Sequence, residues 1–321
     1  MDYDLEFEQP LAQLAEEIRV LKEERGDLEN PTHLQKALGT LADRTREIYA
    51  GLTSWQTVLV ARHKNRPRSM DYIRLMCDDF LELHGDRVFG DDPALRVGLA
   101  TFGGQTVMFI CHDKGRGAEQ KLRNFGMPRP EGYRKAYRLM KMAEKFGFPL
   151  VCLIDTPGAF PSLEDEERGQ SAAIASNLYL MSRLPVPIIA VVIGEGGSGG
   201  ALGISVADRL LMLEHSVYTV AAPEAAASIL WRDTSFAPHA ADAMQISARE
   251  LIRTQIIDGQ IPEPLGGAHR DYMLAAKYLK DALQEHLHDL WQLSTTELLE
   301  RRYQKFRAIG KFGRVVATTY S

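Results

Sequence analysis

Apolar residues in the first fifth of the chain recur every three or four positions, as they do on one face of an α-helix. The first series is Leu11, Leu14, Ile18 and Leu21, and the second is Leu34, Leu38, Leu41, Ile48 and Leu52. Between them lie Gly26, Pro31 and the capping candidate Thr32. We predict a helical hairpin over residues 4–60, which either packs on its own domain or mediates dimerisation.

Further along, the pattern changes to strands that alternate with helices. The segments LRVGLAT and QTVMFIC flank a glycine turn, as in a β-hairpin. Two apolar strands, PLVCLID and PIIAVVIG, then alternate with two helices, GYRKAYRLMKMAEKFG and EERGQSAAIASNLYLMSRL, before a last strand, DRLLML. Because these strands are apolar throughout, they indicate an α/β fold with a mostly parallel sheet covered by helices.

These changes divide the chain into three regions. We predict an N-terminal helical arm over 1–62, an α/β core over 63–267 and a charged helical extension over 268–321. The composition is that of an ordinary globular protein, with 45% apolar and 25% charged residues in 321. A net charge of −5 argues against a dedicated nucleic-acid-binding protein.

Metal and membrane sites are not expected in this chain. Cys77, Cys111 and Cys152 are too dispersed for a disulfide framework or a zinc site, and His286 and His288 point to different faces of a predicted helix. The acidic N-terminus has no secretory signal, and every apolar stretch is far shorter than the roughly 20 residues that span a bilayer. We therefore expect a cytoplasmic protein.

The segment VVIGEGGSGGALGI fits several kinds of site. Gly194, Gly196 and Gly199 match the GxGxxG dinucleotide-binding pattern, but the strand DRLLML begins only nine residues after Gly199, which leaves too little room for the required helix. The segment also contains GxSxG, the nucleophile elbow of α/β-hydrolases, with Ser198 at its centre. The catalytic triad would then be completed by Asp208 or Glu214 and by His239 or His269.

A third interpretation is an oxyanion hole, in which consecutive peptide N–H groups at a helix start face a developing negative charge. An elbow needs neither Gly197 nor Gly199, so these extra glycines favour close approach to the backbone. The simplest alternative is a flexible glycine loop.

A second glycine turn, IDTPGAFPS, follows the preceding strand of the predicted sheet. Ligand crevices in α/β sheets lie at the carboxyl ends of parallel strands. We therefore expect Gly158 and Ala159 to line the same crevice from the other side. The alternative is that this turn only reverses the chain.

Several segments, in order and spread over most of the chain, resemble the α subunits of bacterial acetyl-CoA carboxylase carboxyltransferase. They are FEQPLAQL, SWQTVLVARH, RNFGMPRPEGYRKA, IDTPGAFP, EERGQSAAIA, IGEGGSGGALGI, PEPLGGAH and RRYQKF. The resemblance implies a crotonase-like fold, in which ββα units wind into a superhelix. It also implies an α2β2 assembly with a β subunit that carries a zinc ribbon, working with biotin carboxylase and the biotin carboxyl carrier protein.

The resemblance further implies a reaction, the transfer of a carboxyl group from carboxybiotin on a carrier protein to acetyl-CoA, which gives malonyl-CoA for fatty acid biosynthesis. Negative charge develops on the ureido oxygen of biotin and on the thioester oxygen, so two oxyanion holes are needed. No side-chain base is required in this scheme, because the ureido nitrogen of biotin takes the proton.

By the same resemblance, this chain supplies one of the two holes. Its donors would be the peptide amides of Gly199, Gly200 and Ala201, with Gly196 and Gly197 giving clearance and the turn at residues 158–159 lining the cleft. The β subunit would supply the hole for acetyl-CoA. The chain would then hold half of a shared active site.

A basic stretch before the first core helix is the candidate site for coenzyme A phosphates, because clustered cations suit phosphate oxygens. Its members are Lys114, Arg116, Lys121, Arg123 and Arg129. A solvated loop or a contact with the partner subunit is the alternative. The stretch is one residue shorter than the family pattern and lacks a lysine, so which cation meets phosphate stays open.

The chain also departs from the family pattern at Cys111, Phe160, Ser162, Ala225, Ala226 and Phe236. None of these departures removes a glycine from GEGGSGG. The tripeptide Met140-Lys141-Met142 resembles a biotinylation site, but Tyr133, Tyr137, Met140 and Glu144 follow helical spacing, which argues against one. Two other functions stay open: a serine thioesterase or hydrolase, and a scaffold that docks the partner and carrier without catalysis.

Overall fold

The computed structural model describes residues 3–25 and 31–310 of the chain. Its strands are β1 (Leu81–Glu82), β2 (Leu95–Phe102), β3 (Gln105–His112), β4 (Leu150–Thr156), β5 (Ile188–Gly197), β6 (Arg209–Leu213), β7 (Val217–Thr219) and β8 (Gly259–Ile261). Its helices up to the end of β5 are α1 (Gln9–Arg25), α2 (Pro31–Ala50), α3 (Ser54–Ala61), α4 (Ser69–Met76), α5 (Glu119–Leu122), α6 (Pro130–Phe146), α7 (Leu163–Glu167) and α8 (Gln170–Met181). The later helices are α9 (Ser198–Leu202), α10 (Pro223–Trp231), α11 (Ala237–Met244), α12 (Ala248–Arg253), α13 (Tyr272–Trp291) and α14 (Thr295–Ala308).

The strands form one mixed sheet in the order β1-β2-β3-β4-β5-β6-β8, with β7 beside the end of β5. The first three strands are antiparallel, and β2 and β3 form the predicted hairpin. From β3 to β8 the pairs are parallel, which confirms the prediction of a mostly parallel sheet. No helix in the two described ranges is long and apolar enough to cross a membrane.

Every residue of β4 and β5 is buried, because helices cover both faces of the sheet. Successive side chains of a strand alternate between the faces, so Cys152 and Ile154 pack with α6 and α8, whereas Val151 and Leu153 pack with α4 and α13. The helix α13, predicted as part of an extension, thus forms one cover of the sheet.

Two of the predicted helices have informative ends. The first core helix, α6, begins with a proline and ends at Gly147, which has the left-handed conformation common after a helix (φ 72°). The second was predicted as one helix over 166–184. It is split into α7 and α8 at Gly169, whose φ of 84° is incompatible with a continuous right-handed helix.

The predicted helical hairpin is present as α1 and α2, which pack against each other; Gly26 lies outside the described residues. The arm is fixed to its own core. Leu11 is fully buried against Tyr49, Leu52 and Val60. The carboxylate of Glu8, also buried, accepts hydrogen bonds from Tyr49 (2.7 Å) and from Arg270 (2.6 Å).

The helix α14 is anchored by a buried arginine. The guanidinium of Arg302 forms an ion pair with Asp208 at 2.7 Å and donates to the carbonyls of Met181, Leu184 and Val186. Only 1% of its side chain is exposed. One side chain therefore satisfies three carbonyls in the α8–β5 connection and a carboxylate before β6.

We expect Arg302→Met to lower the free energy of unfolding by about 3–5 kcal/mol, because it leaves the buried Asp208 carboxylate unpaired. Urea denaturation of the full chain measures this. The control is Arg301→Met, one residue away with 60% of its side chain exposed, which should change stability by less than about 0.5 kcal/mol. Equal effects of the two substitutions would contradict the anchoring role.

Candidate active site at the ends of β4 and β5

Two glycine turns meet where β4 and β5 end. A Cβ atom on Gly200 would lie 2.5 Å from the backbone nitrogen of Ala159, and one on Gly197 would overlap the carbonyl oxygen of Pro157. Only glycine therefore allows this approach at either position. The structure thus brings together the two turns that the sequence predicted to share a crevice.

The turn after β4 is held by its own threonine. Thr156 Oγ1 accepts from the N–H of Gly158 (3.1 Å) and donates to the Gly158 carbonyl (2.7 Å). Gly158 has a φ of 154°, and a Cβ atom there would meet nothing within 4 Å. The outer side of this turn is therefore open space.

The turn after β5 leads into the five-residue helix α9. The N–H groups of a helix's first turn have no intrahelical acceptor. In the described part of the chain, no backbone acceptor outside α9 is found for those of Gly199 and Gly200, and the N–H of Ala201 follows them in the same turn. Gly199 is open as well, since a Cβ atom there would meet only Ile174, at 3.8 Å. These amides are suitable donors for an anionic oxygen.

Behind the turns lies a buried carboxylate, Asp155. Its Oδ1 accepts the backbone N–H of Glu195 at 3.0 Å and pairs with Lys114 at 2.7 Å, while its Oδ2 pairs with Arg68 at 3.0 Å. The β4–β5 register shifts at this point, so the side chain bridges the two strands where the backbone ladder is irregular. Burial opposes the charge, yet Lys114 and Arg68 lower the pKa of Asp155 to about 2.

The carboxylate of Glu195 extends this network to the surface. It pairs with Lys114 at 2.7 Å and with Arg62 at 2.6 Å, and Arg62 also pairs with Glu224. Burial opposes the Lys114 ammonium, but Asp155 and Glu195 hold its pKa above the ordinary value. The charges alternate in sign, so the network as a whole has no net charge. It links the ends of β4, β5 and α3.

An apolar cavity of about 380 Å³ opens beside the start of α9. It is lined by Ser198, Gly199, Leu202, Tyr218, Thr219, Val220, Met244, Ile246, Leu251 and Ile256. Sequence reasoning found the two residues of α9's first turn and missed the others, which come from segments up to 58 positions apart in the chain (198 to 256). The arrangement offers apolar walls with peptide N–H groups at one end.

The five basic candidates lie in different surroundings. Lys114 is buried in the network described above. Arg116 is about half exposed and pairs with Asp71 at 2.7 Å, and Lys121 is exposed and has no ion pair within the described residues. Arg123 pairs with Asp113, and Arg129 pairs with Asp165 and lies over the ring of Phe160.

The departures from the family pattern have ordinary structural roles. Cys111 is buried in β3, and Ser162 caps α7 by accepting the N–H of Asp165 at 3.2 Å. Phe160 lies under Arg129 as noted. In the α10–α11 region, Ala226 is buried, Phe236 stacks on Trp231, and Ala225 belongs to α10.

The serine hydrolase hypothesis fails on geometry. Ser198 has a φ of 55°, as in a nucleophile elbow, but its hydroxyl has no hydrogen-bond partner among the residues that the structure describes. The proposed partners are engaged elsewhere: Asp208 by Arg302, Glu214 by the N–H of Glu263, His239 by Trp231 and His269 by His63. No described residue is placed to activate the serine.

Comparison with solved structures shows which fold the chain shares. The fold is similar to that of a Pseudomonas malonate decarboxylase hetero-tetramer chain (TM-score 0.59, 18% identity, 73% of this chain and 92% of the other). It is also similar to transcarboxylase 12S (TM-score 0.56, 19% identity, 81% and 46%). These likenesses confirm the predicted crotonase-like fold.

The sequence matches a more specific group. The family model "Acetyl co-enzyme A carboxylase carboxyltransferase-like" covers residues 4–310. The acetyl-coenzyme A carboxylase carboxyl transferase subunit alpha of Geobacter metallireducens is 52% identical over 313 residues, 97% of this chain and 98% of the relative. That of Listeria monocytogenes is 50% identical over 315 residues, 97% and 99%. The chain belongs to the family of acetyl-CoA carboxylase carboxyltransferase α subunits.

We expect Gly200→Ala to lower the free energy of unfolding by about 1–3 kcal/mol, because its methyl group overlaps the 158–159 backbone. The control, Gly39→Ala, lies on an exposed face of α2 with open space around it, and should raise stability by up to about 1 kcal/mol. Urea denaturation of both variants provides the comparison. A stabilised Gly200→Ala would refute the close contact of the turns.

Acid should destabilise the chain through its buried histidines. Burial lowers the pKa of His112 to about 3, and burial and the neighbouring His63 lower that of His269 to about 3. Between pH 6.5 and about 3 the unfolded chain binds more protons, so stability falls as the pH falls. Each histidine contributes at most about 1.4 kcal/mol per pH unit.

The measurement is urea denaturation from about pH 7 to about pH 5. His112→Gln should reduce the slope of stability against pH, whereas substitution of the exposed His33 should leave it unchanged. A His112→Gln slope equal to that of the wild type would show that His112 titrates normally in the folded chain.

Proposed function

We propose that this chain is one half of a carboxyltransferase active site, which transfers a carboxyl group from carboxybiotin on a carrier protein to acetyl-CoA in the cytoplasm. The observation that carries the proposal is the contact of the two glycine turns, which places peptide amides beside an apolar cavity. Membership of the chain in the α-subunit family supports carboxybiotin and acetyl-CoA as the substrates.

The residues present suit the biotin group. Its ring system is largely apolar and ends in a ureido oxygen, which matches a cavity with apolar walls and N–H donors at one end. When bound, carboxybiotin supplies the carboxyl group and a nitrogen that accepts the proton of acetyl-CoA. The amides of Gly199, Gly200 and Ala201 would bind the ureido oxygen and stabilise its developing charge.

The other residues of the site would orient and shield the group. Gly196 and Gly197 give clearance: a Cβ on Gly196 would lie 2.5 Å from the ring of Tyr218. The turn at Gly158 and Ala159 would line the cleft opposite α9, and Tyr218 with the cavity's aliphatic residues would exclude water. Preorganised dipoles cost no reorganisation as the charge develops.

The second half of the site would come from a partner. We infer a β subunit that carries a zinc ribbon, binds the thioester oxygen of acetyl-CoA and assembles with this chain as α2β2. In the described part of this chain no group of three or more histidine, cysteine or acidic side chains is placed to hold a metal. Biotin carboxylase and the biotin carboxyl carrier protein would supply the carboxylated group.

Coenzyme A phosphates would contact only some residues of the basic stretch. Lys114 already neutralises two buried carboxylates, so it is better suited to holding the turns than to binding phosphate. Arg123 and Arg129 are also paired and partly buried. Arg116 and Lys121 have the most accessible charge, and we assign the phosphate contact to these two.

The decisive experiment compares the purified chain with and without its β partner in malonyl-CoA formation from carboxybiotin. We expect turnover only when both are present, because each supplies one oxyanion hole. Full activity of this chain alone would overturn the half-site proposal, and no activity of the complex would overturn the function.

Two substitutions in the complex separate the alternative mechanisms. Ser198→Ala should keep most of the activity, since the hole is built from amides, whereas a hydrolase would lose nearly all of it. Gly199→Val should allow assembly but reduce turnover by at least about a hundredfold, the scale of losing one oxyanion donor. Unchanged turnover in Gly199→Val would favour a docking scaffold.

A further inference from the structure

One carbonyl of the candidate hole has an unusual partner. In a continued α-helix the N–H of Ile204 would donate to the carbonyl of Gly200. Here that N–H donates instead to the carbonyl of Ala201, at 3.2 Å. The Gly200 carbonyl accepts the hydroxyl of Tyr133 at 3.0 Å. A side chain from α6 has thus replaced the backbone donor.

The position of Tyr133 is constrained by its burial and by close packing against Gly203. The side chain is fully buried, so its ring does not exchange with solvent positions. A Cβ atom on Gly203 would lie 2.6 Å from its ring, so the ring occupies space that only glycine leaves free. The buried imidazole of His112 also lies beside the backbone of Gly200.

A peptide group is planar and trans, so its C=O and N–H point in opposite directions. Holding the Gly200 carbonyl therefore fixes the direction of the Ala201 N–H. A hydrogen bond accepted by the carbonyl also polarises the same peptide and strengthens its N–H as a donor, because hydrogen bonds in a chain reinforce one another. Tyr133 thus influences the Ala201 amide through the carbonyl end of the same peptide group.

We propose that Tyr133 is a positioning residue for carboxyl transfer, orienting and polarising the Gly200–Ala201 peptide so that its N–H stabilises the negative oxygen. This inference rests on the proposed function. It assigns Tyr133 no contact with substrate. Its effect belongs to the step in which charge develops, so turnover should change while the binding of acetyl-CoA, on the partner's side, should not.

The first test observes the peptide directly. The sequence contains four Gly-Ala pairs, beginning at Gly117, Gly158, Gly200 and Gly267. A full chain labelled with ¹³C-carbonyl glycine and ¹⁵N-alanine therefore gives four carbonyl–amide cross-peaks. In Tyr133→Phe, the Gly200–Ala201 peak should shift upfield in both its carbonyl and its amide-proton dimension, and the peaks from Gly117 and Gly267 should stay in place.

The second test measures turnover of the complex with its β partner. Tyr133→Phe should lower kcat about fivefold to tenfold, less than the roughly hundredfold loss expected for removing a donor itself, with KM for acetyl-CoA unchanged. The matched control is Tyr72→Phe, a fully buried tyrosine whose hydroxyl has no partner among the described residues; it should behave as wild type.

Two further variants separate positioning from packing. Gly203→Ala keeps the hydroxyl but displaces the ring, and should reproduce both the peak shift and the loss of kcat. Replacing Tyr133 by ortho-fluorotyrosine strengthens the donor at nearly constant shape, and should give a kcat at or above wild type. If Tyr133 served only in packing, kcat would not rise and fall with the strength of its hydroxyl as a hydrogen-bond donor.

The outcomes distinguish this inference from the proposed function. If the wild-type complex makes malonyl-CoA but Tyr133→Phe keeps both its kcat and its Gly200–Ala201 peak, the positioning role is wrong and the function stands. If the wild-type complex makes none, the function itself fails. A shifted peak with unchanged kcat would also overturn the catalytic part of the inference.

Discussion

The site depends on the close contact between the two glycine turns at the ends of β4 and β5. Neither Gly197 nor Gly200 can carry a side chain there, because the backbone at residues 157–159 occupies the space. The contact brings the start of α9 against the preceding turn and leaves peptide N–H groups without acceptors. The peptide donors lie at this contact, and the apolar cavity opens beside them.

Such a contact needs support, because the strand ladder is irregular at this point. Asp155 supplies it by accepting the N–H of Glu195. The supporting network contains three cations, Arg62, Arg68 and Lys114, and three carboxylates, Asp155, Glu195 and Glu224. Because the charges balance, the network holds the turns together without imposing a strong field on the site. The proposed stabilisation therefore comes from oriented peptide dipoles, including the one that Tyr133 holds.

The sequence predicted the parts of this site that are encoded locally. Apolar runs identified β4 and β5, and the surplus of glycine around Ser198 indicated a close backbone approach. It could not assign partners across the chain: Lys114 was a candidate phosphate ligand, and its ion pairs with Asp155 and Glu195 are visible only in the structure. Tyr133 looked like one more apolar position of a helix, since its hydroxyl meets Gly200, 67 residues away. The break at Gly169 was missed because the helical pattern continues across it.

Binding of biotin to the assembled turns tests the central claim most directly. The measurement is a titration of the full chain, labelled at its Gly-Ala pairs and studied with its β partner, with free biotin. We predict that the peaks beginning at Gly158 and Gly200 move together and saturate, while those at Gly117 and Gly267 do not move. Saturable binding that leaves the Gly158 and Gly200 peaks in place would contradict the assignment of the biotin site to these turns.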